Sequence, residues 1–104
     1  MDTFQALVEP NRRLLLESLR QQPCTVNMLV DVVDLSQPAV SKHLKVLKSA
    51  NLVIVRQDGQ KRWYELNAEP MNEVEKFLAP YRQFYCEKLD SLEQHLEQME
   101  ETRE

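Results

Sequence analysis

The chain has 104 residues, of which 42% are hydrophobic and 29% charged. That length suits one domain, and that balance excludes a disordered chain. Its longest apolar runs, such as Leu14-Leu15-Leu16, are far too short to cross a bilayer. No basic-then-apolar leader opens the sequence, so a cytosolic protein without a membrane partner is expected. The formal net charge is −4, which argues against a polyanionic partner only if the charge is evenly spread. It is not. Residues 36–62 carry six cations against Asp58, a local net of +5, and residues 87–104 carry seven acids against Lys88 and Arg103, a local net of −5. A basic middle can meet phosphates, whereas the acidic end repels them and stays in solvent. Cys24 and Cys86 fit a reducing compartment rather than a disulfide framework.

The single glycine, Gly59, indicates a mostly helical chain. Residues 3–9 predict a short helix with Phe4 and Leu7 on one side. A second helix starts at Glu9-Pro10-Asn11, because proline is favoured in a first turn, where its missing N–H would be unpaired anyway. Leu14, Leu15 and Leu19 form its expected core face, and Gln21-Gln22-Pro23 stops it. Thr25 is the expected N-cap of a third helix holding Val26, Leu29, Val32 and Val33. After the short turn Asp34-Leu35-Ser36, Ser36 caps a fourth helix running from Gln37-Pro38 to about Ala50, with Asn51 as a left-handed stop. Two such helices joined by so short a turn form a helix-turn-helix.

Residues 52–57 and 60–66 are rich in β-branched and aromatic side chains and flank Asp58-Gly59, a strong two-residue hairpin signal. Arg56, Lys61 and Arg62 belong near the tip. Trp63 and Tyr64 alternate, so one ring packs on the core and the other lies outward. From Pro70 the pattern is helical again. Val74, Phe77, Leu78 and Tyr81 share a face, and Pro80 should kink or interrupt the helix. Tyr85, Leu89, Leu92, Leu96 and Met99 then follow a 4-3-4-3 spacing, the seam of a helix that packs on another helix.

The fourth helix carries the chemistry. Val40, Leu44 and Leu47 form an inward stripe. Gln37, Ser41, Lys45 and Lys48 form a second stripe about a quarter turn round, flanked by Lys42. Short hydrogen-bonding groups come first and lysines later. A helix entering a major groove N-terminus first needs that order, with small polar groups near base edges and cations near phosphates. Thr25, Ser36 and Ser41 can bond phosphate oxygens. Arg56, Lys61 and Arg62 supply a second cationic contact. His43 is either a half-buried packing residue or a DNA contact.

Three segments resemble the ArsR-type winged helix-turn-helix repressors. Residues 36–48, from Ser36-Gln37-Pro38 to Lys48, followed by Ala50-Asn51-Leu52-Val53, resemble that family's recognition helix and strand entry. Glu9-Pro10-Asn11-Arg12-Arg13-Leu14 resembles its opening, and Asp58-Gly59 through Leu66 resembles its wing. The resemblance implies a homodimer that binds an inverted-repeat operator in double-stranded DNA and represses transcription. The expected fold is therefore mainly α with a small β-hairpin wing. It is a single domain over 1–104, with a DNA-binding core over 3–67 and a dimerisation helix over 70–101 kinked near Pro80. Thr25, Ser36, Gln37, Pro38, Ser41, Lys42, His43, Lys45, Lys48, Arg56, Lys61 and Arg62 are the expected DNA contacts. Phe4, Leu7, Phe77, Leu78, Tyr81, Phe84, Tyr85, Leu89 and Leu92 are the expected dimer interface.

Many relatives of this type release DNA on binding metal. Their thiolate pair would fall near Thr25 and Asn27, which carry no thiols. Their other metal site lies on the last helix, where His95 has no histidine partner at ligand spacing, so no metal and no cofactor are expected. The spacing of Cys24 and Cys86 resembles the cysteine pairs of sulfur-sensing relatives, although in those the first cysteine sits inside the preceding helix, around Glu17 here. A thiol-based or metal-responsive repressor using Cys24 and Cys86 is thus an alternative. The tail Tyr81-Arg82-x-Phe84-Tyr85 with Leu89-x-x-Leu92 resembles a branch without recognised ligand sites, and no motif names an inducer. A winged-helix assembly module that binds no DNA is a second alternative. An enzyme fits poorly: there is no nucleophile–histidine constellation, glycine-rich phosphate loop or metal motif.

Overall fold

The computed structural model describes residues 2–101. One compact unit ends at Val74 and a second begins at Glu75. Helix α1 spans Thr3–Val8, α2 Pro10–Gln21, α3 Val26–Val33 and α4 Gln37–Ser49. Strands β1 (Val53–Asp58) and β2 (Lys61–Leu66) form an antiparallel hairpin, and α5 runs Met71–Glu101. Arg103 and Glu104, counted above with the acidic end, lie outside the described residues.

The first four helices are set by their caps. Asp2 accepts from the N–H of Gln5, whose side chain accepts in return from the N–H of Asp2, a reciprocal box that starts α1. Glu9 caps α2, Thr25 caps α3 and Ser36 caps α4, each side-chain oxygen taking an N–H that the helix itself cannot use. Asp34, at φ 53°, turns the chain out of α3 and Asn51, at φ 61°, turns it out of α4. Both residue types tolerate the left-handed conformation better than most. The turn between α3 and α4 is therefore short and fixed, and it orients α4 against α3.

The core of the first unit is leucine-rich. Leu15, Leu29, Leu44, Leu47, Leu52 and Val40 are its largest fully buried side chains. Each such side chain contributes roughly 1.5–3 kcal/mol by leaving water. Leu14 differs from expectation: it is 49% exposed, and Leu15, Leu16 and Leu19 form the buried face of α2. Adjacent residues lie about 100° apart on a helix, so a face centred on Leu15, Leu16 and Leu19 turns Leu14 outward. Val32 is likewise exposed while Leu29 and Val33 are buried.

The hairpin loop also differs by one position. Asp58 pairs with Lys61, so the two-residue loop is Gly59-Gln60 rather than Asp58-Gly59. Gly59 has φ 62° and Gln60 is not among the positive-φ residues, the pattern of a loop with glycine at its first central position. Tyr64, not Trp63, is the ring packed against the core. Cys24 and Tyr64 exchange two backbone hydrogen bonds of 3.0 and 2.8 Å. This bridge pins β2 to the residue preceding the α3 cap.

Pro80 lies inside α5 and does not end it. It removes one N–H from a helix of 31 residues, a local loss that the turns on either side outlast. Along this helix Phe77, Leu78, Tyr81, Phe84, Tyr85, Leu89, Leu92, Leu96 and Met99 are all exposed, between 43% and 63%.

Candidate nucleic-acid interface

Helix α4 is divided along its length. Val40, Leu44 and Leu47 are buried, while Gln37, Pro38, Ser41, Lys42, Lys45 and Lys48 are all exposed. The division follows from helical spacing, since residues three and four apart share a face. The buried stripe fixes the rotation of α4 about its axis, and that rotation presents the polar edge to solvent.

The two capping hydroxyls are partly committed. Ser36 Oγ lies 3.3 Å from the N–H of Ala39, and Thr25 Oγ1 lies 3.4 Å from that of Met28. Each oxygen accepts from the helix, which leaves its O–H available to donate outward.

His43 is placed differently from its neighbours on α4. It is half-buried, and its Nδ1 lies 3.9 Å from Oε2 of Glu9. The same carboxylate accepts from the Arg12 N–H at 3.0 Å and from Asn11 Nδ2 at 3.3 Å. The geometry favours His43 as a packing residue that ties α4 to the start of α2.

On the hairpin, successive side chains alternate between faces. Arg56, Trp63 and Lys61 lie on one face and Tyr64 and Arg62 on the other. Lys61 and Arg62 are exposed beside the loop. Arg56 is engaged by Glu65, at 3.2 Å, so its charge is already partly answered within the hairpin.

Thr25, Gln37, Lys61 and Arg62 come together around one open cleft of about 390 Å³. The cleft lies between the first turn of α3, the start of α4 and the loop end of β2. The Cys24–Tyr64 bridge explains this arrangement: it brings the strand carrying Lys61 and Arg62 alongside the α3 cap. Asn27, Gln60 and Trp63 line the same cleft, and sequence reasoning did not select Asn27 or Gln60. No local pattern marks them, because their proximity depends on a bridge between distant segments. Trp63 is the ring of the Trp63-Tyr64 pair that does not pack on the core.

The two cysteines are free, Cys24 buried and Cys86 exposed. Cys24 Sγ lies 3.4 Å from the carbonyl of Gln22, and burial pushes its thiol pKa up. A reactive thiolate needs the opposite shift. Among the described residues, no three His, Cys, Asp or Glu side chains are grouped to hold a metal ion. No helix among them is long and apolar enough to cross a membrane.

The model of the bacterial regulatory proteins of the arsR family matches residues 9–55, from the cap of α2 into β1. The HTH-type transcriptional regulator Rv2034 of Mycobacterium tuberculosis is 37% identical over 92 residues, covering 85% of this chain and 86% of that protein. The chain belongs to the arsR family. The transcriptional repressor SdpR of Bacillus subtilis is 32% identical over 66 residues, covering 64% of this chain and 73% of SdpR. The crystal structure of NolR from Sinorhizobium fredii matches with a TM-score of 0.63 at 34% identity, over 75% of this chain and 79% of that one. The chain is thus a DNA-binding transcriptional regulator of winged helix-turn-helix build, and not an enzyme. The segment matched by the family model holds the whole helix-turn-helix of this regulator.

Proposed function

We propose that the regulator is a cytoplasmic homodimeric repressor that binds an inverted-repeat operator through α4 and the hairpin. In this reading the Gln37–Ser41 end of α4 enters the major groove. Gln37 pairs with a base edge, with adenine as its natural partner, and Ser41 meets a neighbouring base. Pro38 shapes the entering turn. Lys42, Lys45 and Lys48 answer phosphates along the groove wall, and Thr25 and Ser36 donate to backbone oxygens. Lys61, Arg62 and, with less free charge, Arg56 reach the adjacent phosphates or the minor groove. The observation that carries the reading is the exposed polar edge of α4, whose first residue, Gln37, lines one cleft with the hairpin cations Lys61 and Arg62.

Two sets of residues are proposed for the two-fold interface. Phe4 and Leu7 come from α1, and Phe77, Leu78, Tyr81, Phe84, Tyr85, Leu89 and Leu92 come from α5. A run of exposed large apolar side chains of this length is uncommon on a soluble monomer, and a second copy offers the same stripe in return. The name of the relative SdpR supports the repressive sense.

A gel-shift series with duplex DNA from upstream of the regulator's own gene tests the reading. Binding should be strong at low salt and fall steeply as salt rises. Binding that ignores salt, or no binding at low salt, favours a protein-assembly module instead. The thiol-switch alternative is disfavoured by Cys24, whose burial holds it protonated.

A further inference from the structure

Of the residues lining the cleft between the hairpin and the start of the two helices, Gln37 alone belongs to α4. We propose that the cleft is a dedicated seat for the operator's sugar–phosphate backbone, with Asn27 and Gln60 as donors that hold it. This rests on the DNA-binding reading above and assigns that reading two further contact residues.

Three features of the cleft support this. First, its charge has one sign: Lys61 and Arg62 line it, and no carboxylate does. Such a wall attracts phosphate. Secondly, its polar lining is rich in donors. Asn27 and Gln60 are exposed, and each amide presents two N–H groups. Neither side chain makes a hydrogen bond or ion pair among the described residues. Among the described residues both amides are therefore open to an outside acceptor. Thirdly, the volume of about 390 Å³ lies within the range of small-ligand pockets, roughly 300–1,000 Å³. The half-buried Trp63 supplies an apolar wall, which suits the sugar of a backbone unit better than it suits a bare ion.

The division of labour is then spatial. Gln37, at the junction of the cleft and the exposed edge of α4, faces bases. Asn27 and Gln60, off the edge of α4, hold the strand in register without reading it.

The test uses the full chain and fluorescence anisotropy with two duplexes of equal length, one from upstream of its own gene and one of random sequence. Asn27→Ala and Gln60→Ala should each weaken binding by about three- to tenfold, equally on both duplexes. Circular dichroism melting should be unchanged, since both side chains are exposed. A series of duplexes with single neutral methylphosphonates gives the sharper readout. At one backbone position the substitution should weaken the unaltered protein and leave the Asn27→Ala/Gln60→Ala variant unaffected, since both changes remove one contact. Unchanged affinity in both variants overturns the proposal, as does a loss confined to the upstream duplex, which would make the amides base readers. Either result leaves the DNA-binding reading intact provided Lys45→Ala still weakens binding. If the unaltered protein binds neither duplex at low salt, the DNA-binding reading fails and takes this proposal with it.

Discussion

The unit ending at Val74 and helix α5 use similar apolar side chains in opposite ways. In the first unit Leu15, Leu29, Leu44, Leu47 and Leu52 are at most 1% exposed. In α5 Leu78, Leu89, Leu92 and Leu96 are 43–54% exposed, together with Phe77, Tyr81, Phe84 and Tyr85. The first unit closes its own core from helices and a hairpin that cap and cover one another. Helix α5 has one stripe and, within its own unit, nothing to cover it. Its internal contacts are modest: the Phe77 and Tyr81 rings lie 5.2 Å apart, and Lys88 Nζ lies 5.4 Å from the Phe84 ring centre. Burial is complete in one region, and an uncovered apolar stripe is displayed in the other.

The largest effect should come from α5. Replacing Leu89 and Leu92 together by Asp should halve the mass seen by analytical ultracentrifugation. Loss of the two-fold arrangement should then cost about a hundredfold or more in affinity for upstream DNA, through lost avidity. A dimer of unchanged strength in this variant would move the interface elsewhere. In the first unit the same kind of side chain should act on stability instead. Leu47→Ala removes a fully buried residue and should cost about 2–5 kcal/mol in denaturant unfolding. A cost under ~1 kcal/mol would show that the site collapses readily and that the core is less tight than its burial implies.

Smaller effects separate reading from holding. Gln37→Ala should cost about 1–3 kcal/mol on upstream DNA at one or two base pairs and much less on random DNA. Equal losses on the two would assign Gln37 to the backbone. Arg62→Ala should weaken both DNAs alike and lower the salt slope by about one. Arg56→Ala should do less, because Glu65 already holds that guanidinium. The smallest effect concerns Cys24. Its raised pKa leaves little thiolate at neutral pH, so alkylation should be slow in the folded protein and rapid once it is unfolded. Fast alkylation of folded Cys24 would revive the thiol switch.

The local features of this fold are legible in the sequence because local chemistry sets them. Thr25, Ser36 and Pro38 mark helix starts through hydrogen bonds or a fixed φ within a single turn. Val40, Leu44 and Leu47 declare the inner face of α4 by spacing alone, and the outer edge follows. What escapes a linear reading is set by contacts between distant residues. The hairpin loop sits one residue later than Asp58-Gly59 suggests, because the Asp58–Lys61 pairing extends the ladder. The exposure of Leu14 depends on which part of the α2 face the other helices cover. The Cys24–Tyr64 bridge leaves no trace in either segment, so the cleft it creates, and with it Asn27 and Gln60, is visible only in three dimensions. His43 likewise needed Glu9, 34 positions earlier in the sequence, before its packing role could be distinguished from a place on the polar edge.

The central claim is that the α4 edge and the hairpin tip engage duplex phosphates together. Its most direct test is the slope of log binding constant against log salt for the unaltered protein on upstream DNA. Lys42, Lys45, Lys48, Lys61 and Arg62 are the five expected contributors in each protomer, so the slope should approach about −4.5 per protomer, at roughly −0.9 per phosphate neutralised. A slope near zero would contradict the claim.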